Sequence, residues 1–245
     1  MTPQVDSISS DSELPDTTEV VVIGGGIIGV ATALTLAERG IAVVLCEKGI
    51  IAGEQSCRNW GWVRQQGRDH RELPLMVEST RLWEAMDTRV GCATGFVQCG
   101  VLYLEKTERD IAARETWLEH ARPFGVDSCL ISGTQANALL PGSTEHWAGA
   151  LYTRSDGRAE PAIAAPAMAR AAQAKGAIVL ENTAVRGIET TAGAISTVVT
   201  EKGSIKCSSV VLAGGMWSGL FCKSIDLTLP QLGVISAVLR TRPMP

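Results

Sequence analysis

One stretch near the start of the chain constrains the fold more than any other: a strand, a glycine-rich turn, a helix and a second strand follow in direct order. The β-branched run Glu19–Ile23 predicts a buried parallel strand. It leads into the pattern G-x-G-x-x-G at residues 24–29, and then into the helix-forming run Val30–Arg39. Gly40 ends that helix, and the apolar run Ile41–Cys46 predicts the second strand. This order predicts a β-α-β unit of a parallel α/β sheet.

Each glycine of the pattern, and the acid that ends the second strand, has a role in binding a dinucleotide. Gly24 permits the tight turn, Gly26 lets a pyrophosphate approach the backbone, and Gly29 lets the helix pack closely on the sheet. Glu47 stands 18 residues after Gly29, where a carboxylate accepts hydrogen bonds from ribose hydroxyls and repels the 2′-phosphate of NADP. The pattern favours a dinucleotide site over a β-α-β unit without a ligand, and its spacing does not separate FAD from NAD.

Composition and hydropathy exclude several classes of protein. The chain has 245 residues, 45% of them hydrophobic, so it can bury a sizeable core. Lys and Arg number 22 against 26 Asp and Glu. This balance argues against nucleic acid as a partner, because phosphate binding needs clustered basic residues. No apolar run approaches the roughly 20 residues of a membrane span. Residues 1–18 lack the apolar core of a secretory signal, and we expect a disordered tail there.

The cysteines and histidines do not predict a metal site. The seven cysteines include no C-x-x-C pair, and the three histidines show no H-x-x-x-H spacing. Scattered cysteines in odd number are typical of reduced thiols, so we expect a cytoplasmic protein. Peripheral attachment to the inner face of a membrane stays open.

Residues 53–69 have an unusual composition for a surface loop, with two tryptophans, three arginines and three glycines. Small polar groups beside aromatic rings suit a loop that folds under a flat ring and its phosphates. The alternative, which composition alone favours, is a loop whose Trp60 and Trp62 fill the core and whose arginines form salt bridges. Arg64 has the planar fork that binds a substrate carboxylate, and a structural salt bridge is its alternative role.

The remaining sequence predicts an insertion followed by a return of the nucleotide-binding pattern. Leu73–Arg89 predicts an amphipathic helix with Leu75 on its core face, and residues 90–150 predict inserted helix and strand. After a helix over Ala162–Lys175, three strand-like runs predict a meander, and the last enters a second glycine turn, Gly214–Gly215. The three runs are Ala184–Thr190, Ala194–Thr200 and Ser204–Ala213.

Taken in order, these motifs resemble the family of FAD-dependent oxidoreductases that contains D-amino-acid oxidase, glycine oxidase and sarcosine oxidase. The unit Val20–Glu47 is similar to the FAD fingerprint of the family, and Ser56–Gly61 resembles its S-x-R-N-x-G stretch beside the flavin. Asp156–Pro161 resembles the segment before the second FAD contact, and Val210–Ser218 is similar to the closing A-x-G-x-W-S motif. The resemblance covers almost all of residues 19–240.

The resemblance implies a Rossmann-like FAD-binding domain with a β-meander, of α/β class. That domain is interrupted by an α+β substrate domain with a mostly antiparallel sheet, incomplete in this chain. We expect the FAD-binding domain at residues 19–89 and 151–225, and the partial substrate domain at 90–150 and 226–245. Family members continue beyond this point, so we expect a truncated chain.

The resemblance also implies the chemistry. FAD would oxidise an amino acid or a secondary amine by taking a hydride from the α C–H to flavin N5, giving an imine that hydrolyses. Either oxygen or a quinone could be the electron acceptor. No catalytic residue is assigned, and Arg64 is the candidate for substrate binding. The expected FAD contacts are Gly24, Gly26, Gly29, Glu47, Ser56, Arg58, Asn59, Val185, Gly214 and Gly215.

Two other functions stay open from the sequence. The first is a non-catalytic nucleotide-binding remnant, or one subunit of a larger flavoenzyme assembly. The second is an NAD-dependent dehydrogenase, against which the arginine-rich loop and the meander argue.

Overall fold

The computed structural model describes residues 4–238, which form two compact units. The described strands are β1 (Val20–Ile23), β2 (Val43–Cys46), β3 (Trp62–Val63), β4 (Val101–Glu105), β5 (Ser128–Ser132), β6 (Gly149–Thr153), β7 (Gly157–Arg158), β8 (Ile178–Leu180), β9 (Val185–Thr191), β10 (Ala194–Thr200), β11 (Gly203–Lys206) and β12 (Ser209–Leu212). The described α-helices are α1 (Ile27–Glu38), α2 (Leu73–Glu84), α3 (Met86–Val90), α4 (Glu108–Ala121), α5 (Gly133–Ala138), α6 (Pro161–Ala174) and α7 (Ser218–Ser224).

The compact units follow boundaries other than those expected from the sequence. The first unit contains residues 4–60, 90–94 and 161–238 of the described chain, and the second contains residues 61–89 and 95–160. The helical segment Leu73–Arg89, which we expected in the FAD-binding domain, therefore belongs to the second unit. Residues 239–245, which the sequence assigned to a substrate domain, lie outside the described residues.

A four-stranded parallel sheet, in the order β12-β1-β2-β8, lies at the centre of the first unit. Val20 of β1 pairs with Val43 of β2 on one side and with Ser209 of β12 on the other. Helix α1 connects β1 to β2 and packs against the alanine-rich α6. Val21 and Val22 are fully buried, as expected for a strand covered on both faces. The predicted β-α-β unit and the Rossmann-like fold class are confirmed.

An antiparallel meander, β9-β10-β11, packs its apolar side against this parallel sheet. Val198 and Ile205 of the meander share one buried cluster with Val21 and Val44 of the sheet. The predicted third run, Ser204–Ala213, is wrong as a single strand, because it forms β11 in the meander and β12 in the parallel sheet. The break follows from the N–H groups of residues 208 and 209, which both donate to the carbonyl of Glu19 and so direct the chain to β1.

The second unit contains a three-stranded antiparallel sheet in the order β4-β6-β5, which confirms the expected sheet type. Thr107 caps α4 by accepting a hydrogen bond from the Asp110 N–H. The single helix expected over Leu73–Arg89 is divided into α2 and α3 at Ala85. Leu75 is 67% exposed, so its placement in the core is wrong.

The segment of residues 4–18 is ordered along the first unit, and the expectation of a disordered tail is wrong for these residues. Asp11 accepts a hydrogen bond from the Val179 N–H at 2.7 Å and donates its own N–H to the Val179 carbonyl. Leu14 packs against the buried cluster between the sheet and the meander. The hydrogen bonds between Asp11 and Val179 join residues more than 160 positions apart, which composition does not reveal.

Candidate functional site

A cleft lies at the carboxyl ends of β1, β2 and β12 in the first unit. It encloses about 950 Å³, including its mouth open to solvent. In parallel α/β sheets this edge is where ligands bind. Most of its lining comes from residues 23–26, 46–48, 52–56, 184–186 and 212–217.

The glycine turn after β1 has a geometry that only glycine fits at two of its positions. Gly24 has φ +111°, and a Cβ there would come within 2.4 Å of the Ala213 carbonyl oxygen. A Cβ at Gly29 would lie 1.8 Å from the carbonyl oxygen of Gly24. Gly26, by contrast, has an ordinary backbone conformation, and its Cβ would meet only the Ser56 hydroxyl at 3.1 Å. Gly24 and Gly29 therefore shape the turn, whereas Gly26 keeps the surface of the cleft open.

The N-terminus of α1 faces the cleft and is completed by a side chain from another loop. The Ile27 N–H donates to the Ser56 hydroxyl oxygen at 2.8 Å. Because that oxygen accepts here, its own O–H can donate to an anion placed at the helix N-terminus. The helix dipole favours negative charge at the same place.

Glu47 is buried at the end of β2, and both of its carboxylate oxygens are oriented by backbone donors. One oxygen accepts from the Gly25 N–H at 2.7 Å, and the other accepts from the Gly49 N–H at 2.8 Å. Each oxygen has a further lone pair. The carboxylate is therefore held rigidly in the cleft with acceptor capacity left for hydroxyl groups.

The other expected FAD contacts divide into two groups. Val185, Gly214 and Gly215 line the cleft. Arg58 donates to the Gly53 carbonyl at 2.9 Å and lies 3.3 Å from Glu54. The Asn59 amide donates to the carbonyls of residues 55 and 56. Arg58 and Asn59 thus stabilise the loop that carries Ser56.

Arg64 lies in the second unit beside two aromatic rings, whose centroids are 6.4 Å apart. Its guanidinium carbon is 5.0 Å from the Trp62 ring centroid and 5.7 Å from that of Tyr103. Nη1 donates to the Tyr103 hydroxyl and to the Gln66 carbonyl. The core placement of the two tryptophans is wrong, since Trp60 is 58% and Trp62 is 43% exposed.

Sequence reasoning missed a buried polar network next to Arg64. Asp156 is fully buried and accepts hydrogen bonds from the N–H groups of Gln65 and Gln66, and burial raises the pKa of its carboxyl group. Gln66 is also fully buried, and its Oε1 accepts from Thr153. Its Nε2 has no hydrogen-bond partner among the described residues. Two consecutive glutamines after Arg64 were the available signal.

Residues 4–238 lack both a metal-binding cluster and a membrane-spanning helix. They contain no group of three or more His, Cys, Asp or Glu side chains arranged to hold a metal ion. The same residues include no helix that is both long and apolar enough to cross a membrane.

Comparison with known proteins agrees with this geometry. Residues 19–245 match the family described as DAO, FAD dependent oxidoreductase. Sarcosine dehydrogenase of Mus musculus is 28% identical over 93% of this chain, which spans 26% of that protein. The regulatory subunit of pyruvate dehydrogenase phosphatase of the same species is 28% identical over 84% of this chain, which spans 24% of it.

Among solved structures, L-amino acid deaminase from Proteus myxofaciens in complex with anthranilate superposes with a TM-score of 0.90. It is 35% identical and matches 94% of this chain, which spans 52% of that structure. The chain thus spans about half the length of this solved relative and about a quarter of the length of the two curated ones.

Proposed function

Because the chain belongs to the DAO family of FAD-dependent oxidoreductases, we propose that it supplies the FAD-binding part of an enzyme that oxidises an amino acid or a secondary amine. The cleft at the carboxyl edge of the parallel sheet carries this proposal. It combines a glycine turn, a helix N-terminus and a rigid buried carboxylate, which are the three groups that a dinucleotide requires.

Different residues of the first unit bind different parts of the cofactor. Gly26 and the Ser56 hydroxyl receive the pyrophosphate at the N-terminus of α1, since both lie at its first turn. Glu47 accepts hydrogen bonds from the ribose hydroxyls. Val185 contacts the adenine. Gly214 and Gly215 form the second glycine turn, whose backbone lies next to the cofactor. When bound, FAD supplies the hydride acceptor for the substrate α C–H, and the resulting imine hydrolyses.

Arg64 is the proposed ligand of the substrate carboxylate. Contacts with the Trp62 and Tyr103 rings and two hydrogen bonds hold its guanidinium group, and the described hydrogen bonds use only Nη1. Nη2 and Nε therefore keep donors for a bidentate contact.

Anaerobic reduction tests the enzymatic proposal. The FAD-loaded chain is mixed with a panel of amino acids and N-methyl amino acids, and the loss of visible flavin absorbance is followed. We expect bleaching by at least one carboxylate-bearing amine. Arg64→Met should weaken the binding of that substrate at least tenfold. Arg71→Met, which removes an exposed arginine paired with Asp69, should leave the binding unchanged. Reoxidation by oxygen or by a soluble quinone then identifies the acceptor.

A non-catalytic role is the second candidate, and one relative favours it. The pyruvate dehydrogenase phosphatase protein is named as a regulatory subunit, so one relative of this chain has a name that is not that of an oxidoreductase. If FAD binds tightly and no member of the panel bleaches it, the binding part of the proposal stands and oxidation of a substrate by this chain alone is refuted.

A further inference from the structure

Three charged and aromatic side chains meet at the solvent-facing rim of the cleft. Lys48 Nζ lies 2.7 Å from Glu54 Oε1 and 5.1 Å from the ring centroid of Trp217. The side chains of Lys48 and Glu54 are 44% and 45% exposed, and Trp217 is 47% exposed. All three residues line the cleft. We refer to Lys48, Glu54 and Trp217 as the Lys48 clasp.

The clasp spans the glycine turn because of the strand order. Lys48 follows β2 and Trp217 follows β12, and β1 lies between these two strands in the sheet. A contact from Lys48 to Trp217 therefore passes over the carboxyl end of β1, where the glycine turn begins. The Gln55 amide, which donates to the Met216 sulfur at 3.8 Å, adds a weaker link between the same two segments.

Arg58 holds Glu54 from the other side. Its guanidinium lies 3.3 Å from Glu54 and also donates to the Gly53 carbonyl. The hydrogen bond from Lys48 is the main cause that lowers the pKa of Glu54. Glu54 is thereby fixed on its own loop, and Lys48 is the cation that joins this loop to the segment after β12.

We propose that the Lys48 clasp is a gate that controls the passage of FAD into and out of the cleft. This inference rests on the proposed FAD site. Every partner in the clasp is a protein group. Breaking the clasp therefore lowers the free-energy barrier to FAD entry and to FAD release alike. A residue that only holds the bound cofactor would instead change the release rate and leave the association rate unaltered.

Flavin fluorescence after mixing and after dilution measures both rates on the full chain. Lys48→Ala and Glu54→Gln should raise association and release together by about three- to tenfold, since exposed ion pairs and cation–π contacts are individually weak. Lys48→Arg should restore both rates. The matched control is Lys106→Ala in the second unit, where Lys106 lies 2.9 Å from Glu145 and 5.2 Å from the Trp147 ring; it should alter neither rate.

Hydrogen exchange separates this inference from the FAD proposal. In the chain without added FAD, Lys48→Ala should speed amide exchange in residues 54–58 and 215–217, and Lys106→Ala should not. The gate is refuted if Lys48→Ala changes release alone, changes neither rate, or leaves this exchange unaltered. A wild-type chain that binds no FAD refutes the proposed function, whereas the exchange result still decides whether the clasp holds the rim closed.

Discussion

Replacing Gly26 by alanine should abolish tight FAD binding without unfolding the chain. Gly26 has φ −75° and ψ 179°, which any residue adopts, and a Cβ there would meet only the Ser56 hydroxyl at 3.1 Å. Two small effects on the free energy of unfolding oppose each other. Alanine restricts the unfolded chain, which stabilises by about 0.4–1 kcal/mol, and it is a poorer N-cap residue than glycine by a similar amount. We therefore expect a melting temperature within about 4 °C of wild type.

The effect on binding should be much larger. The new methyl group would project where the pyrophosphate approaches the first turn of α1. Hydrogen bonds to charged groups contribute about 1.5–3 kcal/mol each. Losing one or two of them removes about 1.5–6 kcal/mol and weakens binding by roughly ten- to ten-thousandfold, because each 1.4 kcal/mol is tenfold. Quenching of flavin fluorescence during titration with protein gives the dissociation constant, and differential scanning fluorimetry gives the melting temperature.

Gly29 in α1 and Gly40, just after its C-terminal end, serve as controls. Gly29→Ala should lower stability severely, because its Cβ would lie 1.8 Å from a backbone oxygen that cannot rotate away. Gly40→Ala, at the other end of the helix, meets no atom within 4 Å but adopts φ +73°. It should cost about 1 kcal/mol of stability and leave the affinity for FAD unchanged. A Gly26→Ala variant that binds FAD within threefold of wild type would refute the assignment of the pyrophosphate to this turn.

Three other outcomes follow from the structure. Asp156→Asn should destabilise the fold by about 1–3 kcal/mol in urea unfolding, because the amide oxygen can accept from only one of the buried Gln65 and Gln66 N–H groups and the amide NH2 faces the other, while Asp127→Asn at an exposed position should cost under about 1 kcal/mol. The hydrogen bond from Lys48 lowers the pKa of Glu54, so the clasp holds at neutral pH and weakens only when the pH falls through that lowered pKa; the difference in FAD release between wild type and Glu54→Gln should persist at about pH 5 and shrink only below the ordinary carboxyl value of 4.5. Burial raises the pKa of Cys46 to about 12, so a thiol reagent at pH 8 should label only the exposed cysteines before denaturation, namely Cys92, Cys99 and Cys129.

The first unit was largely predictable because its signals are local. The run from Glu19 to Glu47 specifies strand, turn, helix and strand by residue type alone, and the structure places them in that order with Glu47 in the cleft. The glycine pattern identified Gly24 and Gly29, and the structure gives the reason, because their neighbours leave no space for a Cβ.

The features that sequence reasoning missed depend on contacts between distant residues. Residues 4–18 are ordered by hydrogen bonds to β8 and α6, and nothing in their composition indicates those partners. The change from β11 to β12 depends on the Glu19 carbonyl, almost 190 residues earlier in the chain. The two consecutive glutamines after Arg64 were the only sequence signal for Gln66, and the burial of its Nε2 group without an acceptor among the described residues appears only in the structure.

The most direct test of the account is the visible absorption spectrum of the purified chain after incubation with FAD and gel filtration. We expect co-eluting flavin bands at one FAD per chain for wild type and Gly40→Ala, and their loss for Gly26→Ala. A wild-type chain that elutes folded, by circular dichroism, and colourless would contradict the assignment of the cleft as a FAD site.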